Sequence, residues 1–126
     1  MIYLSYKQSW VNPNQLEKEL KFIKNKLEAT WQKVFIYYFE EDSTLPPHQL
    51  LKKFYENIKK ANLVLAYINY PEKSEGQLLE LGMAYALWKP IKILINNTVK
   101  NNYYLVYGLG QVIEFEKLEC IDFNKV

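Results

Sequence analysis

"ANLVLAYINYPEKSEGQLLELGMAYALWKPIKILI", residues 61–95, decides the fold. "LVLAYI" (63–68) is apolar almost throughout and of strand length, as suits a central parallel strand covered on both faces. "NYPEKSEG" (69–76) interrupts it with loop residues. Leucines and alanines then follow at helical spacing until Pro90 stops them, and "IKILI" (91–95) supplies the next strand. A strand, a helix and a strand in close succession make a βαβ unit, whose two strands run parallel.

The same alternation extends in both directions. "IYLSY" (2–6) is a short apolar first strand. Leu16, Leu20, Ile23 and Leu27 lie at helical spacing after Pro13, with Lys and Glu on the opposite face. "KVFIYYF" (33–39), rich in β-branched and aromatic residues, is expected as a second buried strand. "EEDSTLPP" (40–47) is a loop, and Leu51, Phe54 and Ile58 mark the apolar stripe of a second helix. Beyond residue 95 come a polar loop with a short helix, an edge-like strand "QVIEF" (111–115) and a tail. That tail forms a helical turn or reaches a neighbouring subunit. Residues 1–126 thus predict one α/β domain: a three-layer, flavodoxin-like or Rossmann-like, five-stranded parallel sheet in the order 2-1-3-4-5 with helices on both faces.

Composition narrows the function classes. Hydrophobic residues make up 49% and charged residues 24% of the 126, as in ordinary globular domains. A net charge of +2 is too small to argue for nucleic-acid or membrane partners. Every one of the sixteen basic residues is Lys. A phosphate would therefore be held by backbone N–H groups, hydroxyls and Lys, without a guanidinium fork. One Cys (Cys120) and one His (His48) exclude an internal disulfide and a zinc set, so no metal and no cofactor are expected. "MIYLSYKQSW" lacks the layout of a signal peptide, and a cytoplasmic location is expected.

In this fold ligands bind beyond the carboxyl ends of the strands, near the switch between strands 1 and 3. That crevice should gather "SYKQS" (5–9), "EEDS" (40–43) and "NYPEKSEG" (69–76), with Ser5 as a candidate substrate contact. Ser74 and Gln77 have capping-box spacing, with Ser74 as N-cap. Free N–H groups at Glu75, Gly76 and Gln77 would attract an anion, and Gly76 has no Cβ to obstruct it. Glu80 shares a helix face with Gly76 and Ala84, which leaves room for a ligand against the carboxylate. Leu79, Met83, Ala86 and Leu87 would pack on the sheet. The competing reading of Glu80 is a carboxylate paired with a Lys or solvated. Trp10 and Trp88 are expected to pack, with base stacking or a dimer interface as alternatives.

"SEGQLLELGMAYALWKPI" (74–91) resembles the signature of the nucleoside 2-deoxyribosyltransferase-like family, which includes 2′-deoxynucleoside 5′-monophosphate N-hydrolases. "IYL" (2–4) and "GLGQVIEFEKLE" (108–119) are similar to that family's first and closing strands. The resemblance implies that Glu80 is a nucleophile attacking the anomeric carbon of a (deoxy)ribose. A covalent glycosyl–enzyme intermediate would pass to water or to another base. It further implies that Ser74 and the Gly76 amide hold a 5′-phosphate, that Tyr3 orients the sugar or the carboxylate, and that the protein is a homo-oligomer, a dimer foremost. The chain departs from the family at one point: Phe54 stands where the family places an Asp that assists the leaving base.

"SEGQLLEL" also has the Ser-to-Glu spacing of NAD-cleaving TIR domains, though Gly76 and Gln77 replace the Trp and Cys of that pattern. "MIYLSYK" resembles the TIR opening strand. That resemblance implies an NAD glycohydrolase, with NAD as substrate and Glu80 again catalytic. A third reading, favoured by Phe54, is a non-catalytic nucleotide-binding or protein-interaction module that keeps the fold.

Overall fold

The computed structural model describes residues 1–42 and 44–126. Five parallel strands form one sheet in the order β2-β1-β3-β4-β5. They are β1 (Ile2–Ser5), β2 (Val34–Phe35), β3 (Leu63–Ile68), β4 (Ile91–Asn96) and β5 (Gln111–Phe115). Between them run α1 (Pro13–Glu28), the single turn α2 (Tyr37–Glu40), α3 (Pro47–Lys60) and α4 (Glu75–Ala86). Short 3₁₀ turns complete the chain at Lys100–Asn102, Leu105–Gly108, Leu118–Cys120 and Phe123–Lys125. Sheet order and the bounds of β3 and β5 agree with the sequence expectation.

Alternation along the strands builds two cores. Leu4, Leu65, Tyr67 and Leu94 point to one face, where α1 buries Leu16, Leu20, Ile23 and Leu27. Each such aliphatic side chain contributes roughly 1.5–3 kcal/mol when fully withdrawn from water. Tyr3, Val64, Ala66, Ile68, Ile93 and Ile95 point to the other face, against Ile58 of α3 and Leu81 and Ala84 of α4. The tail folds back onto its own chain, burying Phe123 and Val126 in the α1 core, with Phe123 edge-on to Phe22. Gly110 is obligatory at the start of β5, since a Cβ there would lie 1.9 Å from the Ile91 carbonyl oxygen.

Local signals set the helix ends. Asn12 caps α1, its side-chain oxygen accepting from the N–H groups of Asn14 and Gln15, and Pro13 occupies the first turn. At the far end of α4, Lys89 donates to the carbonyls of Lys59 and Ala61 at 2.7 and 2.9 Å. It thereby satisfies the carboxyl end of α3, where a cation is favoured by the helix dipole. Trp10, Trp31 and Trp88 have positive φ angles of 63°, 65° and 58°, and each is more than nine-tenths exposed. The packing expected of Trp10 and Trp88 is therefore corrected: these indoles lie in water.

Three further corrections have physical causes. The second strand does not extend over 33–39, because β2 pairs with β1 only at Val34 and Phe35. The Glu40 carboxylate then accepts from the Ile36 N–H at 3.1 Å and the chain coils into α2. Leu51 of α3 is exposed, leaving Phe54 and Ile58 to face inward. On α4 the predicted stripe of Leu79, Met83, Ala86 and Leu87 holds only in part, with Met83 and Leu87 packed, half-buried, against the core. Leu79 and Ala86 are exposed, and Gln77, Glu80, Leu81 and Ala84 are buried instead. Among the described residues, no helix is long and apolar enough to cross a membrane.

Candidate active site

Glu80 lies on the inward face of α4, only 7% exposed. β1 supplies what holds it. The Tyr3 phenol donates to Oε2, and the Ser5 hydroxyl donates to Oε1 at 2.9 Å. Tyr3 and Ser5 alternate onto the same face of β1, so both reach the carboxylate from the sheet. Both are fully buried, and neither lines the adjoining cavity. Among the described residues no cation lies within ion-pair distance of Glu80. The lysine-paired and the solvated alternatives are both absent from this geometry.

Burial dominates the titration of this carboxyl. Loss of water raises its pKa from 4.5 to about 7, even though the Tyr3 and Ser5 hydrogen bonds pull the other way. Tyr3 is pushed well above the ordinary tyrosine range, chiefly by burial and then by the Glu80 charge. Tyr6 moves up for the same two reasons. Glu80 is thus poised to exchange charge near neutrality, while the phenols around it keep their protons.

A cavity of about 150 Å³ opens onto Glu80 and is lined by Tyr6, Gln8, Ser9, Tyr37, Phe54, Ser74, Gly76 and Gln77 as well. It is smaller than the roughly 300–1,000 Å³ of pockets that enclose a drug-sized ligand. It lies where "SYKQS" after β1 meets "SEG" at the start of α4, as the switch-point rule requires. The acids at 40–42 do not line it, and Ser43 of the predicted "EEDS" contribution lies outside the described residues. Ala84 does not flank the cavity, being fully enclosed in the core. Of the two small neighbours of Glu80 on α4, Gly76 lines the cavity and Ala84 does not.

Ser74 caps α4 as predicted, its hydroxyl accepting from the Gln77 N–H at 3.2 Å. Gln77 does not close the reciprocal half of a capping box. Its side-chain amide donates instead to the carbonyls of Ser5 and Tyr67 at 3.1 and 3.0 Å. This ties the first turn of α4 to the ends of β1 and β3. Ser74 and Gly76 both face the cavity, bringing the helix N-terminus to its wall.

Tyr6, Gln8 and Ser9 line the cavity from the "SYKQS" stretch expected there, whereas sequence reasoning did not place Tyr37 at the site. Tyr37 enters because α2 turns the chain back over the sheet edge. Its ring meets Phe54 edge-on with centroids 5.2 Å apart, and its hydroxyl donates to the Asp42 carbonyl. No sequence signal for that turn precedes the structure. Among the described residues no group of three His, Cys, Asp or Glu side chains converges to hold a metal.

No family model matches the sequence, and no curated protein does. Solved structures do resemble the chain. CMP N-glycosidase BcmB of Clostridium botulinum superposes with a TM-score of 0.72 at 25% identity, over 94% of this chain and 90% of that one. A 2-deoxyribosyltransferase from Bacillus psychrosaccharolyticus gives 0.68 at 23% identity, over 98% and 93%. A conserved protein of Enterococcus faecalis V583 gives 0.67 at 18% identity, over 99% and 98%. Two of these neighbours are enzymes, an N-glycosidase and a deoxyribosyltransferase, and with them the chain is consistent with a nucleoside 2-deoxyribosyltransferase-like family.

Proposed function

We propose that this protein cleaves, or transfers at, the N-glycosidic bond of a nucleoside or nucleotide, a (deoxy)nucleoside 5′-monophosphate foremost. Glu80 is the nucleophile. One observation carries the reading: a buried carboxylate, without a counter-cation among the described residues and fixed by two hydroxyl donors, opens onto a cavity of about 150 Å³. The Glu80 carboxylate attacks the anomeric carbon as the bond to the base breaks, giving a glycosyl ester. Water or a second base then attacks the same carbon and frees the carboxylate.

Tyr3 and Ser5 aim the carboxylate from behind. The α4 N-terminus, with Ser74 and Gly76, receives the 5′-phosphate through its unpaired N–H groups. The small cavity suits the pentose, with base and phosphate extending along its walls. The deciding experiment is incubation with deoxynucleoside and nucleoside monophosphates, followed by mass spectrometry of the peptide that contains Glu80. A glycosyl adduct on that peptide, absent from Glu80→Gln, supports the role. Base release undiminished in Glu80→Gln would overturn it.

The same proposal includes a homodimer. Leu78, Leu79 and Tyr85 leave an apolar face of α4 in water, and a second copy would cover it. Sedimentation of Leu79→Lys as a monomer, beside a dimeric parent, is the expected result. The exposed, unpaired Cys120 supports a reducing compartment, the cytoplasm, as the place of action.

A further inference from the structure

We infer that the chain carries a second binding site, on the α1 side of the sheet, for a small organic cation: a primary ammonium group on an apolar body. It stands apart from Glu80. Tyr3 holds that carboxylate from the α3 and α4 side, whereas Tyr67 points to the α1 side. A cavity of about 400 Å³ lies there, between α1 and the carboxyl ends of β3, β4 and β5. It falls within the roughly 300–1,000 Å³ of pockets that enclose small molecules.

Its floor is a carboxylate that the N-glycosidic chemistry does not use. Glu19 is only 7% exposed, and among the described residues no cation lies within ion-pair distance of it. Three neutral donors hold it. The side-chain amides of Gln15 and Asn69 donate to Oε1 at 3.2 and 3.0 Å, and the Tyr70 hydroxyl donates to Oε2 at 3.2 Å. Asn96 in turn donates to Asn69 Oδ1 at 2.8 Å, which fixes that amide. A carboxylate offers about four lone pairs, so one on Oε2 stays open. These donors aim the charge without cancelling it.

A second group points to the same ligand. The Tyr67 hydroxyl belongs to the cavity wall, on a residue only 2% exposed, and it has no hydrogen-bond partner among the described residues. A buried hydroxyl left unpaired is costly, so a ligand that bonds it is favoured. Burial first, and then the Glu19 charge, push the Tyr67 pKa up, so the phenol keeps its proton and its oxygen can accept. An ammonium brings three donors and no acceptor. That is the complement of an open carboxylate lone pair beside a hydroxyl oxygen.

The walls suit the rest of such a molecule. Phe115 stacks on Tyr67 with ring centroids 6.0 Å apart, and Phe22 and Leu118 add apolar surface. Aromatic faces attract cations, the more so where water is excluded. Lys18 and Lys117 line the cavity together with Glu116 and Glu119; all four are exposed, and their charges cancel. The charge left over is that of Glu19, and it is negative.

The test titrates three probes of one shape into the intact protein at pH 7: phenethylamine, 2-phenylethanol as its uncharged counterpart, and phenylacetate as an anion. The readout is the side-chain amide resonances of Asn69 and Asn96 in nitrogen-15 NMR. The amine should move both resonances and bind at least about tenfold more tightly than the alcohol, as charge-assisted hydrogen bonds imply. Phenylacetate should not bind. Glu80→Gln should bind the amine as the parent does, which separates this cavity from the one at Glu80. Glu19→Gln keeps an oxygen for the Gln15, Asn69 and Tyr70 donors and should lose the preference for amine over alcohol. Tyr67→Phe should weaken the amine several-fold. Amine and alcohol bound equally by the parent, or neither amide moved by millimolar amine, overturns the inference. So does amine binding undiminished in Glu19→Gln; should that variant not fold, the comparison of probes on the parent decides alone.

Discussion

The side-chain amide of Gln77 lies 3.1 Å from the carbonyl oxygen of Ser5, so one glutamine sets the distance between α4 and the end of β1. The same amide also binds Tyr67, and the side chain is almost fully buried. Glu80 stands one turn further along the helix and accepts from Ser5. Replacing Gln77 by Leu should strand two buried carbonyls at a cost of about 2–3 kcal/mol. Urea denaturation checks the cost. A fall in kcat exceeding the fall in folded fraction would show that the Glu80 register also moved.

Glu80→Gln should abolish turnover yet stabilise the fold at alkaline pH. The folded carboxyl holds its proton more tightly than the unfolded one, with a pKa near 7 against 4.5. Its contribution is therefore fully present below pH 4.5 and is lost as pH rises through about 7. The glutamine variant does not titrate. Relative to the parent it should gain about 2–3 kcal/mol between pH 4 and pH 8. Urea midpoints at those two pH values measure the gain, and an equal difference at both would contradict it.

If the ionised Glu80 carboxylate is the nucleophile, as proposed, activity should rise with pH through about 7. Tyr3→Phe removes a hydrogen bond that favours the ionised form. The acid limb of kcat/KM should move to higher pH, and kcat should fall about tenfold. KM should change little, since Tyr3 does not line the cavity. The Ser5 hydrogen bond and the burial of Glu80 itself remain in the variant, so the limb shifts without disappearing.

Lys89→Met should cost about 1–3 kcal/mol by freeing two carbonyls at the end of α3. The aliphatic stem is preserved, so the loss measures the ammonium group. Thermal unfolding of the two proteins at equal concentration checks it. Salt should reduce the difference only partly, because these bonds are made to backbone carbonyls rather than to an exposed carboxylate.

The sheet was legible because parallel strands buried on both faces are continuous apolar runs, and "LVLAYI" and "IKILI" can be little else. The cap at Ser74 and the placement of Glu80 beside the crevice were legible for a similar reason: turn chemistry and switch points are local rules. The face of α4 was not. That helix is apolar nearly all round, so spacing alone cannot tell Leu79, which faces water, from Gln77 and Glu80, which face the sheet. Polar burial there is dictated by partners on β1 and β3, seventy-odd residues and ten residues away in sequence. Tyr37 was hidden for another reason. Its segment has strand composition, yet the edge strand ends after two pairs and a single glutamate hydrogen bond turns the chain.

The three exposed indoles give the protein an unusual optical character. With Trp10, Trp31 and Trp88 all in water, native emission should already resemble that of free indole and be open to iodide quenching. Unfolding would then shift it little, and tyrosine signals would follow the fold better. The same dark background turns two of the indoles into local probes. Trp10 adjoins Ser9 on the cavity wall, so a ligand there should shift its emission to the blue. Trp88, just past the end of α4, should do so when that helix face is covered.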